Sequence, residues 1–121
     1  DATTRHTAAD FSWKHSPTTS YSANFPLIQR TGATAVAGSG TVTASVWVRR
    51  DNAAGTAQLI CRGGQVGGLT TDQTATITAA INTWEQISIT FTPTEVGAVN
   101  FEFVSYGTGN LWFDDFTITQ A

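Results

Sequence analysis

The feature that most constrains this chain is an alternation of apolar and polar residues that recurs along most of its length. In residues 42–48 every second side chain is valine or alanine, and the residues between them are mostly polar. Successive side chains of a β-strand point to opposite faces, so one face of this segment is expected to pack and the other to meet water. The same period of two returns in the stretches 75–81, 84–92, 99–103 and 111–119.

The composition also favours strands. The 121 residues include 22 threonines, whose branched side chains suit a pleated surface, and one lysine. Seven or eight short strands separated by turns predict an all-β, antiparallel sandwich that forms a single domain over 1–121. Its core is expected within 40–119. Pro17 and Pro26 interrupt weaker strand patterns in 1–30, which is predicted to be a loosely structured arm or to supply edge strands.

Several functional classes are excluded at this stage. A formal net charge of -3 disfavours nucleic acid as a partner, because phosphate contacts need clustered basic residues. No apolar run approaches the roughly 20 residues that span a bilayer, so no membrane insertion is expected. The chain has a single cysteine, no zinc-like spacing of histidines and no nucleophile motif, so the sequence predicts a protein that is not an enzyme.

Three stretches carry a resemblance to a known family: GTVTASVWVR at 40–49, TWEQISITFT at 83–92 and LWFDDFTI at 111–118. In order and spacing they resemble the jelly-roll, galactose-binding-like sandwiches found in many carbohydrate-binding modules. The resemblance implies a jelly roll of about eight strands. Similar modules occur in secreted enzymes that degrade polysaccharides and in bacterial surface and viral structural proteins, which implies an extracellular, secreted or particle-surface location.

The N-terminal region departs from that family. Its members usually open with a strand bearing an Asn-Gly-Asp-Phe-Glu-like motif that pairs near the C-terminal strand, and no such motif occurs in 1–17. Either the partner of strand 111–119 is missing and another chain supplies it, or residues 1–15 form the edge strand themselves. The first reading predicts a self-assembling structural subunit of a filament, fibre or virion surface, or a domain that contacts its neighbours in a longer chain. The candidate assembly residues are Phe11, Trp13, Trp112 and Phe116.

The alternative function is carbohydrate binding. Trp47, Trp84 and Tyr106 are out of phase with the apolar positions of their segments, so they are candidates for an aromatic platform that stacks on sugar rings. Arg49 is the candidate that would bind sugar hydroxyls beside Trp47. The same aromatic residues could instead close the end of the sandwich or pack against a neighbouring subunit.

The adjacent carboxylates Asp114 and Asp115 are the candidate metal ligands. In the resembling family an acidic residue near this position often helps to hold a structural calcium ion. Calcium takes six to eight oxygen ligands, whereas neighbouring side chains on a regular strand point to opposite faces. At most one of the two carboxylates is therefore expected to reach such a site unless the strand bulges. Otherwise the pair would bond to backbone amides at the edge of the core, and no other cofactor is expected.

Overall fold

The structure, a computed structural model, describes residues 13–16 and 21–121. Ten strands form in this part of the chain, and all of their pairings are antiparallel. They are β1 (Trp13–His15), β2 (Leu27–Arg30), β3 (Thr34–Val36), β4 (Val42–Arg50), β5 (Thr56–Cys61), β6 (Gln73–Thr76), β7 (Glu85–Phe91), β8 (Gly97–Val99), β9 (Glu102–Tyr106) and β10 (Leu111–Gln120). The described residues contain no helix that could cross a membrane.

The strands lie in two four-stranded sheets and one small pair. Sheet A has the order β1-β10-β4-β7, sheet B has the order β2-β9-β5-β6, and β3 pairs with β8. The predicted all-β antiparallel sandwich is confirmed.

The alternating patterns form the core between the two sheets. Val42, Ala44, Val46 and Val48 of β4 are fully buried, while the residues between them face outward. The rings of Phe103 in sheet B and Phe113 in sheet A stack with their centroids 4.9 Å apart. Both sheets therefore contribute side chains to one continuous core.

The stretch 99–103 is two strands rather than the single strand its alternation predicts. β8 ends at Val99 and pairs with β3, whereas β9 begins at Glu102 and belongs to sheet B. Between them, the side chain of Gln65 accepts a hydrogen bond from Asn100 N at 2.9 Å and donates one to Asn100 O at 3.2 Å. These bonds satisfy the backbone while the chain passes from one sheet to another.

Residues 75–81 also depart from the expected strand. β6 ends at Thr76, and the carboxylate of Glu85 accepts hydrogen bonds from the backbone N–H of Thr78 and Ala79 at 2.7 and 2.9 Å. The chain then turns through Asn82, whose φ is 60°. Ile81, which the alternation placed in the core, is consequently 46% exposed.

The structure describes edge strands in the N-terminal region. Trp13–His15 pairs with β10 over 111–113, and Leu27–Arg30 pairs with β9 at an edge of sheet B. The hypothesis that the whole of strand 111–119 lacks a partner in its own chain is therefore wrong for the first three residues of β10. Phe11, one of the candidate assembly residues, lies outside the described residues.

Candidate functional site

The outer face of sheet A carries three of the four candidate glycan-binding residues. Trp47 and Arg49 alternate with the buried valines of β4 and so face away from the core. Trp47 pairs with Gln86, and Trp84 stands two residues before Gln86, directly ahead of the first residue of β7. Trp47, Arg49 and Trp84 are all partly exposed.

Tyr106 does not join this group. It lies at the end of β9, where it pairs with Thr56 of β5 in sheet B. Because the two sheets pack through their inner faces, the described strands separate Tyr106 from Trp47 and Trp84. The structure thus brings together two of the three candidate aromatic residues.

Trp112 lies in the same outer row, which the sequence analysis did not predict. The strand register aligns it with Lys14 of β1 on one side and Arg49 of β4 on the other. The Lys14 ammonium is 5.9 Å from the centroid of the Trp112 ring, and the Arg49 guanidinium carbon is 5.7 Å from it. With a cation on each side, Trp112 is only 6% exposed. A cation within about 6 Å of an indole face is attracted by the ring quadrupole.

The two cations that flank Trp112 have no carboxylate partner within ion-pair distance among the described residues. Arg49 Nη2 donates to the Asn82 side-chain oxygen at 3.3 Å. The Nε of Arg49 is buried and finds no acceptor in the described part of the chain. In the described part of the chain, the outer face of sheet A therefore combines aromatic rings with two positive charges that no carboxylate compensates.

On sheet B the outer-face cations are paired. The side chain of Glu102 is 5% exposed and lies 3.0 Å from Arg62 Nη2 and 3.4 Å from Arg30 Nε. Arg62 also contacts Asp72 at 3.2 Å. Hydrogen bonds first from Gly63 N–H and then from Arg62 lower the pKa of the Asp72 carboxyl below its usual value. Each of these charged side chains therefore lies within ion-pair distance of one of opposite charge.

A second candidate site is the edge of β10. Beyond Phe113, no described strand pairs with the side of β10 that β1 occupies. A cavity of about 500 Å³ lies there, with lining residues from both sheets. Its lining includes the rings of Trp13, Phe103, Phe113 and Phe116. Trp13, which is 53% exposed, lies at this cavity. Asp114, Asp115 and Thr117 also line it, so the edge offers both aromatic and polar groups.

The candidate calcium ligands lie at a bulge in the same strand. The pairing of β10 with β4 shifts between Asp114 and Thr117, and Asp115 has a φ of 50°. The Oδ1 atom of Asp114 accepts a hydrogen bond from Asp115 N at 2.8 Å, which supports this turn of the backbone. Within the described residues no three acidic, histidine or cysteine side chains cluster in a way that could hold a metal ion. The calcium hypothesis stays a prediction.

Two buried titratable groups hold their neutral forms. Burial lowers the pKa of His15 to about 4, and its Nδ1 shares a hydrogen bond with the hydroxyl of Ser105 in the other sheet. Burial also raises the pKa of the Cys61 thiol to about 11. Since the thiolate is the reactive form, Cys61 is an inert core residue at neutral pH.

Comparison with known proteins adds no family to this geometry: no family model, no curated protein and no solved structure matches the chain.

The contribution of Lys14 was missed because its partners depend on strand register. In the sequence Lys14 is an isolated lysine in a weak strand pattern, 98 residues from Trp112. Nothing in the alternation of either segment specifies that residues 14, 112 and 49 lie in one row. The alternation does place Arg49 on an outward face, which is the part of the site that the sequence predicts.

Proposed function

We propose that this domain is a non-catalytic structural subunit of an extracellular assembly, in which an extended segment of one copy adds to the β10 edge of another. The observation that carries the proposal is the mismatch between β1 and β10. β10 has ten residues, and β1 covers only the three from Leu111 to Phe113. No other described strand lies on that side of β10, and an edge left open in this way is a template for adding a strand.

Backbone geometry supports strand addition at the end of β10. Ala121 N donates to Thr41 O at 3.0 Å. This bond identifies which alternate residues of β10 direct their backbone N–H and C=O groups toward β4. In antiparallel pairing, the backbone groups of alternate residues point to alternate sides of the strand. The N–H and C=O groups of Ile118 and Gln120 therefore point away from β4, toward the edge where no described strand lies.

The cavity beside this edge, whose lining is both aromatic and polar, supports the same proposal. An added strand can place every second side chain between the sheets, against Phe113 and Phe116, while its backbone bonds to β10. Residues 1–12 are the candidate donor segment because they precede β1 directly. At about 3.3 Å per residue, twelve extended residues reach about 40 Å, more than the remaining seven residues of β10 require. A contact from one copy to the next does not close on itself and so extends into a fibre.

The experiment is light scattering with negative-stain imaging of the full chain and of a variant that lacks residues 1–12. We expect polymers from the full chain and soluble monomers from the truncated variant, with assembly inhibited by an added peptide of residues 1–12. The matched control is Phe25→Ser, which changes an aromatic side chain that is 75% exposed and precedes an edge strand of sheet B. It should leave assembly unchanged.

Two outcomes would overturn the proposal. Polymers that persist without residues 1–12 would exclude this segment as the donor. A full chain that stays monomeric at every concentration, together with loss of stability on truncation, would show that residues 1–12 complete their own domain.

A second candidate function, polysaccharide binding, is favoured by the placement of Trp47 and Trp84 on one outer face. It fits the resemblance to galactose-binding-like jelly-roll modules, which we retain as part of this proposal. Trp47→Ala should abolish retention on a polysaccharide without changing the assembly state. Retention that is unchanged in a folded Trp47→Ala variant would remove Trp47 from the candidate site.

A further inference from the structure

We infer that the outer face of sheet A binds an acidic polysaccharide, with a sugar carboxylate on Arg49 and a sugar ring on Trp47. This inference rests on the second candidate function and names the class of its ligand. The feature that carries it is the row Lys14–Trp112–Arg49, in which two cations lie on either side of one indole ring.

Lys14 and Arg49 differ from the other described basic residues in the partners that surround their charges. Arg30 and Arg62 are compensated by Glu102. Arg50 donates to backbone carbonyls, with its Nη2 2.8 Å from Ala79 O and its Nη1 3.1 Å from Gly55 O. Lys14 and Arg49 are thus the described basic residues that have neither a carboxylate nor a set of carbonyls around them.

Arg49 has spare donors in a fixed position. A guanidinium group carries five N–H donors. The Nε of Arg49 is buried and its Nη2 donates to the Asn82 oxygen at 3.3 Å, so the donors left for a ligand are those on the Nη atoms. Its position beside the Trp112 ring limits the directions in which the remaining donors can point. A carboxylate matches the planar fork of a guanidinium and forms charge-assisted hydrogen bonds with it.

Trp47 lies two residues before Arg49 on the same face of β4, so their Cα atoms are about 7 Å apart. That spacing suits a sugar acid whose apolar ring face rests on the indole while its carboxylate reaches the guanidinium. Hydroxyl-bearing residues continue the face below Trp47. Ser45 Oγ and Thr117 Oγ1 lie 3.3 Å apart and share a hydrogen bond, and Ser45 is buried.

One described acidic residue, Asp114, is a cross-strand neighbour of this row. Asp114 pairs with Trp47 across β10 and β4, but it is nearly buried and its Oδ1 accepts from Asp115 N. Among the described residues, the row and its cross-strand neighbour Asp114 thus contribute two cations and one buried carboxylate, on a chain whose net charge is -3. The same count disfavours nucleic acid, because two cations neutralise too few phosphates to overcome the overall negative charge.

The test compares polygalacturonate with its methyl-esterified form, which keeps the sugar ring and removes the carboxylate charge. Affinity would be measured by isothermal titration calorimetry on the full chain at two salt concentrations. We expect the charged polymer to bind at least about tenfold more tightly than the ester, and Arg49→Gln to remove that preference. Lys14→Gln, at an exposed position, should weaken binding by less. The matched control is Arg30→Gln, which makes the same charge change on sheet B and should have no effect.

Equal weakening by Arg49→Gln and Arg30→Gln would show that net charge alone attracts the polymer, and would overturn the inference. Tighter binding of a single-stranded oligothymidylate than of polygalacturonate would overturn it in favour of nucleic acid. Binding of the ester and the acid with equal affinity, abolished by Trp47→Ala, would keep the second candidate function and remove only the acidic ligand. Loss of binding to both polymers by the unaltered chain would remove both.

Discussion

The outer faces of the two sheets use their positive charges in different ways. On sheet B, Arg30 and Arg62 surround the nearly buried carboxylate of Glu102, so the charges satisfy one another. On sheet A, Lys14 and Arg49 flank an indole ring and have no carboxylate partner among the described residues. Paired arginines contribute to the fold, whereas under the proposed carbohydrate-binding role the remaining donors of Arg49 would contact a ligand.

Between the two sheets, a polar contact joins two uncharged side chains. Acid should weaken this contact, and the resulting loss of stability is the largest effect that we predict. His15 bonds to Ser105 across the sandwich and is held neutral, with its pKa lowered by burial to about 4. The unfolded chain takes up this proton near pH 6.5 and the folded chain only near pH 4. The stability that neutral His15 contributes is therefore complete above pH 6.5 and is lost as the pH falls toward 4, by at most about 3 kcal/mol.

Urea unfolding between pH 7 and pH 4.5 checks this prediction. His15→Gln retains a polar side chain without a titrating group, so it should flatten the dependence on pH in this window. The carboxyls do not share the window. Asp72 has a lowered pKa, and so does Glu85, where hydrogen bonds from Thr78 and Ala79 outweigh the opposing effect of burial. Their contributions are lost below about pH 4.5. An unchanged slope in His15→Gln would contradict the assignment.

The next largest effect is expected on sheet B from Arg62→Gln. The change removes the closer of the two arginines and leaves Glu102 with Arg30 alone, at 3.4 Å. A nearly buried carboxylate that loses a charged hydrogen-bond partner should destabilise the fold by about 2 kcal/mol. The control is Arg30→Gln, whose side chain is more exposed and whose loss should cost less than about 1 kcal/mol. Equal shifts in the urea midpoint would show that Glu102 does not depend on Arg62.

The sequence predicts the sandwich well because alternation is a local property. The inward positions of β4 can be read from residues 42–48 alone, and they are all buried. Alternation fails where a side chain redirects the backbone. Gln65 separates β8 from β9, and Glu85 turns the chain before Ile81 can reach the core. The sequence near these residues does not indicate either hydrogen bond. Gln65 and Asn100 are far apart in the sequence, and Glu85 bonds to Thr78 across a turn.

The candidate site is less predictable for the same reason. Its outward residues on β4, Trp47 and Arg49, follow from the period of two. The partners of Arg49 depend instead on which strands lie beside β4 and in what register. The sequence made Trp112 a candidate assembly residue, and only the pairing of β1, β10 and β4 places Lys14 and Arg49 on its two sides. Register is set by the whole sheet and by the bulge at Asp115.

The smallest effect on stability is expected from Arg49→Gln on sheet A, and it distinguishes the two faces most sharply. This substitution removes a cation from the Trp112 ring without leaving a described carboxylate unpaired. The loss should be no more than about 1 kcal/mol, the size of one cation–π contact at a partly exposed site. The measurement is the urea midpoint of Arg49→Gln beside that of Arg62→Gln. A loss as large as that of Arg62→Gln would mean that Arg49 also serves the fold, and the contrast between the two sheets would disappear. A small loss of stability combined with a large loss of binding would establish that Arg49 serves a ligand.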